Sequence, residues 1–361
     1  MRALSPALGL LAATWMASAP SHAANLKIEP NPLWIERGRG QQSVAADLVF
    51  THNGADTLEL TYVEVSALDA RGRLLARRFV GANGTAPSIQ TIPKRQVFKG
   101  APLLVFNPFP EWDAALPIAT LRYRCELESS TRAETLFAQV RPRVYEQRTK
   151  LMLPLAGRVF VFDAHDALAH HRRLDTTFEP IVKLGLAHNS GRYAYDLSLV
   201  DERGSMWRTD GKKNADWWSW GVPVRAPAAG RVAKVHLDRP DWEVGQDGLS
   251  MEAIMADATT LFGNSVVIDH GNGEFSLLAH MKRGSVAVKE GDRVRAGQTI
   301  GAVGYSGSVF TVHLHYELRT GIDLDVDGLP SRFEQIDRWI GDTRVPEKDG
   351  FITTGDIVQS R

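Results

Sequence analysis

Ser265-Val-Val-Ile-Asp-His-Gly-Asn-Gly-Glu-Phe-Ser-Leu-Leu-Ala-His280 reads as one β-hairpin. Ser265 to Asp269 is rich in β-branched residues, His270-Gly-Asn-Gly273 supplies a tight turn, and Phe275 to His280 is the return strand. The sequence on either side has the same character. Pro223-Val-Arg-Ala-Pro-Ala-Ala-Gly-Arg-Val232 and Arg293-Val-Arg-Ala-Gly-Gln-Thr-Ile-Gly301 echo each other as short strands broken by Ala-Pro or Ala-Gly. Such an echo predicts two interlocked β half-motifs. Helix is expected only over Met251 to Leu261 and Ser331 to Ile340, and a closing strand near Gly350-Phe-Ile-Thr-Thr-Gly355.

The first half also reads as strands and turns. Val44 to Phe50, Thr57 to Val65, Leu121 to Glu128 and Thr135 to Tyr145 are β-prone, and Asp69-Ala-Arg-Gly72 is a turn. Close spacing without a helical period predicts a β-sandwich-like accessory domain over residues 24–147. The fold class expected for the whole chain is all-β. A second β domain spans 148–341, and 342–361 form a tail. Cys125 alternates with Leu121, Tyr123 and Leu127 on one strand face, so it is expected to be a core thiol. As the single cysteine it excludes an internal disulfide and a multi-cysteine zinc site.

The 361 residues balance 42 basic against 42 acidic side chains. Nucleic-acid binding, which calls for a basic stripe, is therefore not expected, nor is a polybasic membrane patch. Arg2, the apolar run from Leu8 to Ala19 and Ser21-His22-Ala23 have the outline of a secretory signal over residues 1–23. The run is short for a membrane span, and no later segment is long and apolar enough. The expectation is a protein exported across the cytoplasmic membrane, periplasmic or extracellular, without a transmembrane segment.

Nine of the ten histidines after residue 23 lie between 165 and 315, which locates the chemistry. Within Val312-His-Leu-His-Tyr-Glu-Leu-Arg319, His313 and His315 share one strand face while Leu314, Tyr316 and Leu318 take the other. Two imidazoles side by side suit one metal, or one ligand and one acid–base group. His188, Asp196 at the end of Tyr193-Ala-Tyr-Asp196, and His280 at the end of an apolar strand complete the series.

These residues carry a resemblance. His188-Asn-Ser-Gly-Arg-Tyr-Ala-Tyr-Asp196, Gly221 to Gly230, Val267 to His280, Val288 to Gly301 and His313-Leu-His315 resemble, in order, the lysostaphin-type (LytM-like) zinc metalloendopeptidases that hydrolyse peptidoglycan. The likeness covers roughly residues 150 to 335. It implies a secreted zinc metalloendopeptidase that cuts stem or cross-link peptides, with peptidoglycan peptides as partners. It implies metal ligands at His188, Asp196 and His315, and catalytic histidines at His280 and His313. Zinc held by three N/O ligands keeps a fourth position open for water, and mixed His/Asp donors suit it better than calcium.

The spacing departs from the family at two places. Seven residues separate His188 from Asp196, more than in the shortest family members. Asp163-Ala-His-Asp-Ala-Leu-Ala-His-His-Arg-Arg173 also precedes the aspartate, so His171, or its neighbour His170, is the alternative first ligand to His188. The acidic stretch from His236 to Phe262 separates strands that the family joins by a short turn. Its expected place is a solvated face or the rim of the cleft. Trp217-Trp-Ser-Trp220 and Trp207 read mainly as packing. The alternative function is a non-enzymatic activator or binding protein for partner cell-wall hydrolases. Gly291-Asp-Arg-Val-Arg-Ala-Gly-Gln-Thr-Ile-Gly301 also resembles biotinyl and lipoyl carriers, but no lysine stands between Val294 and His313 to carry the cofactor.

Overall fold

The computed structural model describes residues 23–361 apart from Asn83 and Asp247. The expected signal segment lies outside the described residues except for Ala23. Strands dominate, and the two α-helices, Glu179–Lys183 and Met251–Ala256, are single turns. The all-β expectation holds. Among the described residues no helix is long and apolar enough to cross a membrane.

The N-terminal part packs two sheets over one core. Ala24–Glu29, Asp47–His52 and Leu103–Phe106 form the first. The second contains Leu58–Leu68, Leu74–Val80, Thr120–Glu128 and Ala133–Val140. Alternation directs Leu48 and Phe50 from one, and Leu60, Val63, Leu121 and Tyr123 from the other, into the same cluster. Cys125 lies in it, fully buried, and burial pushes its thiol pKa up, away from reactivity. Asp69 closes the predicted turn by accepting from the amides of Arg71 and Arg73. A third sheet joins Trp34–Gly38, Gln41–Val44 and Glu111–Asp113, with Arg143–Val144 added in parallel after Pro142.

The C-terminal part is built on an 11-stranded sheet. Its main strands are β1 (Val159–Asp163), β2 (Tyr195–Leu199), β3 (Gly230–His236), β4 (Asn264–Asp269), β5 (Phe275–Met281), β6 (Leu314–Arg319), β7 (Ile336–Ile340), β8 (Thr343–Glu347) and β9 (Ile357–Ser360). They run in the spatial order β3-β4-β5-β6-β2-β1-β9-β7-β8. The opening hairpin is β4–β5, with Asp269 opposite Phe275 and positive φ at Gly271 and Gly273 in the turn. The two echoing segments pair with one another. Val224 lies opposite Gly301 and Gly230 opposite Val294, which is the interlocking their likeness predicts.

Three expectations are corrected. Ile336–Ile340 is a strand, not the end of a helix over 331–340. Gly341, at φ 58°, sits in the two-residue turn between Ile340 and Thr343, and hairpin geometry outweighs local periodicity. The tail does close the sheet, but through β9, a little beyond Gly350 to Gly355. There β9 pairs with both β1 and β7, and its Val358 joins the second core. The Met251 segment is helical only to Ala256, where Asp257 starts a separate 3-10 turn by capping Thr259.

Candidate metal centre

Three adjacent strands carry the site. Asp196 on β2 lies opposite His315 on β6, and His315 lies opposite Ala279 on β5, one residue before His280. Leu314, Tyr316 and Leu318 fill the core on the far face. The alternation that buries them turns His313 and His315 toward Asp196.

Asp196 Oδ1 is the focus. It lies 3.1 Å from His315 Nδ1, 3.3 Å from His313 Nε2 and 3.4 Å from His171 Nε2. His171 Nε2 and His315 Nδ1 are 2.9 Å apart. Of the two candidates for the first position, His171 joins this cluster. His188 does not: its ring is 48% exposed, and its Nδ1 lies 3.1 Å from Asp325 Oδ1. His188 faces the same cavity from the rim.

The outer partners fix the ring tautomers. His315 Nε2 lies 2.9 Å from Glu317 Oε1, so Nε2 carries a proton, and Nδ1, 3.1 Å from Asp196 Oδ1, is the atom that a metal ion would take in place of a proton. Asp163 Oδ2 is 2.7 Å from His170 Nδ1, and His170 Nε2 is 2.9 Å from His171 Nδ1. With His171 Nδ1 paired to His170, its Nε2 is the atom that faces Asp196. His313 Nδ1 donates to the carbonyl of Thr311 at 2.8 Å, and His280 Nδ1 to the carbonyl of Ser306 at 2.8 Å. Carbonyl oxygens only accept, so both rings carry a proton on Nδ1 and turn Nε2 into the cluster, where that of His313 faces Asp196 Oδ1. His280 achieves this with φ of 60°, a region rarely used by non-glycine residues and concentrated at functional sites. Asp163, His170, His171 and Asp196 each offer a ligand atom within 4.8 Å of the others, a group able to hold a metal ion.

Electrostatics point the same way. Burial would raise the Asp196 carboxyl, but His313 and His315 hold it well below the usual carboxylate range. Burial pushes His171 down to about 4 and His280 well below its ordinary value, so both are neutral ligands or bases near pH 7. Burial would lower His315 too, yet Asp196 and Glu317 on either side lift it to about 9. Two buried carboxylates flanking one imidazole favour positive charge at this point, which protonated His315 or a bound cation can supply.

The cluster lies at the base of a cavity of about 340 Å³. Its lining comes from residues 170–324 and includes none from the N-terminal part. Leu174, Ile181 and Leu186 form one wall, from the segment between His171 and His188. Leu261 and Phe262 form another, so the acidic insertion does reach the cleft, and the Phe262 ring lies 5.7 Å from that of His315. Trp217 is buried, packs against Trp207 at 5.1 Å and donates to the carbonyl of Gly211, whereas Trp207 itself is exposed.

Sequence reasoning passed over Glu317, although it stands two residues after His315 and so shares its strand face. It also passed over the pairing of Asp163 with His170, which depends on a loop and leaves no periodic trace.

Residues 218–327 match Peptidase family M23. The matched segment contains His280, His313 and His315 but neither His171, His188 nor Asp196. The chain is 46% identical over 56 residues to the peptidoglycan DD-endopeptidase ShyA of Vibrio cholerae, covering 16% of this chain and 13% of that protein. It is 32% identical over 131 residues to the murein hydrolase activator EnvC of Escherichia coli, covering 33% and 30%. It is 28% identical over 146 residues to the cell division protein DipM of Caulobacter vibrioides, covering 40% and 21%. The chain thus spans less than a third of the length of each of these relatives.

Proposed function

From the premise that residues 218–327 are of Peptidase family M23, we propose that this protein is a zinc endopeptidase hydrolysing stem or cross-link peptides of peptidoglycan outside the cytoplasm. One observation carries the proposal: His171 Nε2, Asp196 Oδ1 and His315 Nδ1 lie 2.9 to 3.4 Å from one another. Ligands about 2.0–2.1 Å from a tetrahedral zinc are spaced about 3.3 Å apart. Once metal displaces the Nδ1 proton of His315, two neutral imidazoles and one carboxylate form a donor set that zinc accepts with a fourth position open.

His171, Asp196 and His315 would hold the metal. When bound, zinc supplies a Lewis acid for the scissile carbonyl and lowers the pKa of a coordinated water to about 7. His313 Nε2 faces Asp196 Oδ1 at 3.3 Å; with Asp196 engaged by the metal, this nitrogen would accept the proton of the attacking water and return it to the leaving amine. His280 presents the same acceptor atom and orients that water. Donation to an oxyanion would need an added proton, which its buried setting opposes. Asp196 and Glu317 hold the ligand rings at fixed angles. The apolar walls exclude bulk water and leave the peptide backbone as the polar group that faces the histidines.

Elemental analysis paired with digestion of purified sacculi tests the proposal. The expected result is about one zinc per chain and release of peptide-cleaved fragments, both lost in His315→Ala. Zinc without fragments would favour the activator reading, which the likeness to EnvC supports. Absence of zinc in folded, metal-supplied protein would refute both the metal and the chemistry.

A further inference from the structure

His171 differs from the rest of the cluster in its support. Asp196, His280 and His315 stand on paired strands, and His313 directly precedes one. His171 opens a 3-10 turn, His171–Arg173, that has no side-chain cap. A second such turn, Ser190–Tyr193, leads into Asp196. Something outside the sheet must fix these two turns, because ligands on irregular backbone are held less sharply than ligands on strands.

The support comes from the other domain. Asp47, at the start of an N-terminal strand, is 2% exposed. Its Oδ1 accepts from Arg172 Nη1 at 2.8 Å and its Oδ2 from Arg192 Nη1 at 2.7 Å. Both guanidinium groups are buried with it. The carbonyls of Ala46 and Ala45 accept from the same arginines at 2.7 and 3.1 Å. Phe106 lies under Arg173 at 4.5 Å. Arg172 directly follows His171, and Arg192 precedes Asp196 by four residues. A single N-terminal carboxylate therefore joins the two turns that deliver the first two metal donors. Charge-assisted bonds with both partners buried are the strong, geometrically selective kind.

We infer that Asp47 is a positioning residue for the metal centre, so that the N-terminal domain is a working part of the site rather than a spacer or a cover. The inference rests on the metal-site reading above. It also accounts for the cavity's having no N-terminal lining residue: the domain acts from behind, through Arg172 and Arg192.

The test is zinc affinity by chelator competition on the full chain, for wild type, Asp47→Ala, Asp47→Asn and Arg39→Ala. Arg39 also ties the two domains together, through Asp356 and Glu347, but touches neither ligand turn. The expected result is a loss of roughly 10–100-fold for Asp47→Ala, the scale of outer-partner changes at metal sites. A smaller loss is expected for Asp47→Asn, which keeps the shape and one acceptor, and none for Arg39→Ala. Should Asp47→Ala not fold, Asp47→Asn against Arg39→Ala makes the same comparison. Equal losses at Asp47 and Arg39 would mean that docking alone matters and would overturn the inference. Unchanged affinity in both Asp47 variants would overturn it while leaving the metal site intact. A wild type that binds no zinc would overturn the site reading itself, and the inference with it.

Discussion

Asp196 and His315 are partners across neighbouring antiparallel strands, and their side chains meet with Asp196 Oδ1 3.1 Å from His315 Nδ1. The register that pairs them also packs Tyr195 and Tyr316 against Phe333 on the opposite face. A one-residue slip would turn the metal donors into the core and the tyrosines into the cleft, so the core enforces the site. Asp196→Asn keeps the shape and removes the charge. It is expected to abolish stoichiometric zinc binding while leaving the far-UV circular dichroism unchanged. Full metal occupancy in this variant would rule Asp196 out as a ligand.

His171→Ala and His188→Ala separate the two candidates for the first ligand. His171 lies 2.9 Å from His315, whereas His188 is held at the rim by Asp325. Zinc content is expected to fall below a tenth of wild type in His171→Ala and to stay near one per chain in His188→Ala. The reverse pattern would mean that the segment between them rearranges around the metal.

These two histidines also mark how far the sequence could be read. The β4–β5 hairpin was legible because Gly271 and Gly273 have the positive φ that its turn demands. His313 and His315 were legible because strand alternation is strict. The first ligand stayed open between His188 and His171, because His171 lies on backbone with no period whose next residue, Arg172, is held by Asp47, more than a hundred residues away. The Ser331–Ile340 segment was misread because short apolar runs fit either helix or strand until their neighbours are known. There β8 and β9 decide it.

His280 and His313 lie outside the proposed ligand set, so their removal should separate chemistry from metal binding. Alanine at either position is expected to leave zinc near one per chain and to lower the hydrolysis rate by about 10²–10⁴-fold, the range for acid–base groups. Turnover on sacculi and elemental analysis of the same samples check this. Loss of zinc together with activity would turn His313 into a ligand, and an unchanged rate would remove it from the mechanism.

Glu274 ties residues 145–149 to the turn of the β4–β5 hairpin. Its carboxylate accepts from Tyr145 Oη at 2.6 Å, Arg148 N at 2.8 Å and Thr149 N at 2.7 Å. Tyr145 in turn packs edge-on against Trp34 of the N-terminal domain at 5.1 Å. Hydrogen bonds to a charged acceptor contribute about 1.5–3 kcal/mol each, and stranding their donors costs more than replacing the pair. Glu274→Ala is therefore expected to destabilise by about 3 kcal/mol, and Glu274→Gln by less. Burial would raise the Glu274 carboxyl, but Thr149, Tyr145 and Arg148 hold it below the ordinary glutamate value. A depressed folded-state pKa stabilises fully above the unfolded value of about 4.3 and is lost as pH falls through the folded value. The gap in urea midpoint between wild type and Glu274→Gln is thus expected to be constant from pH 6 to 7 and to shrink progressively as pH falls below about 4.3. A gap at pH 3 undiminished from that at pH 7 would mean that the carboxylate's charge contributes nothing and that the side chain acts through shape alone.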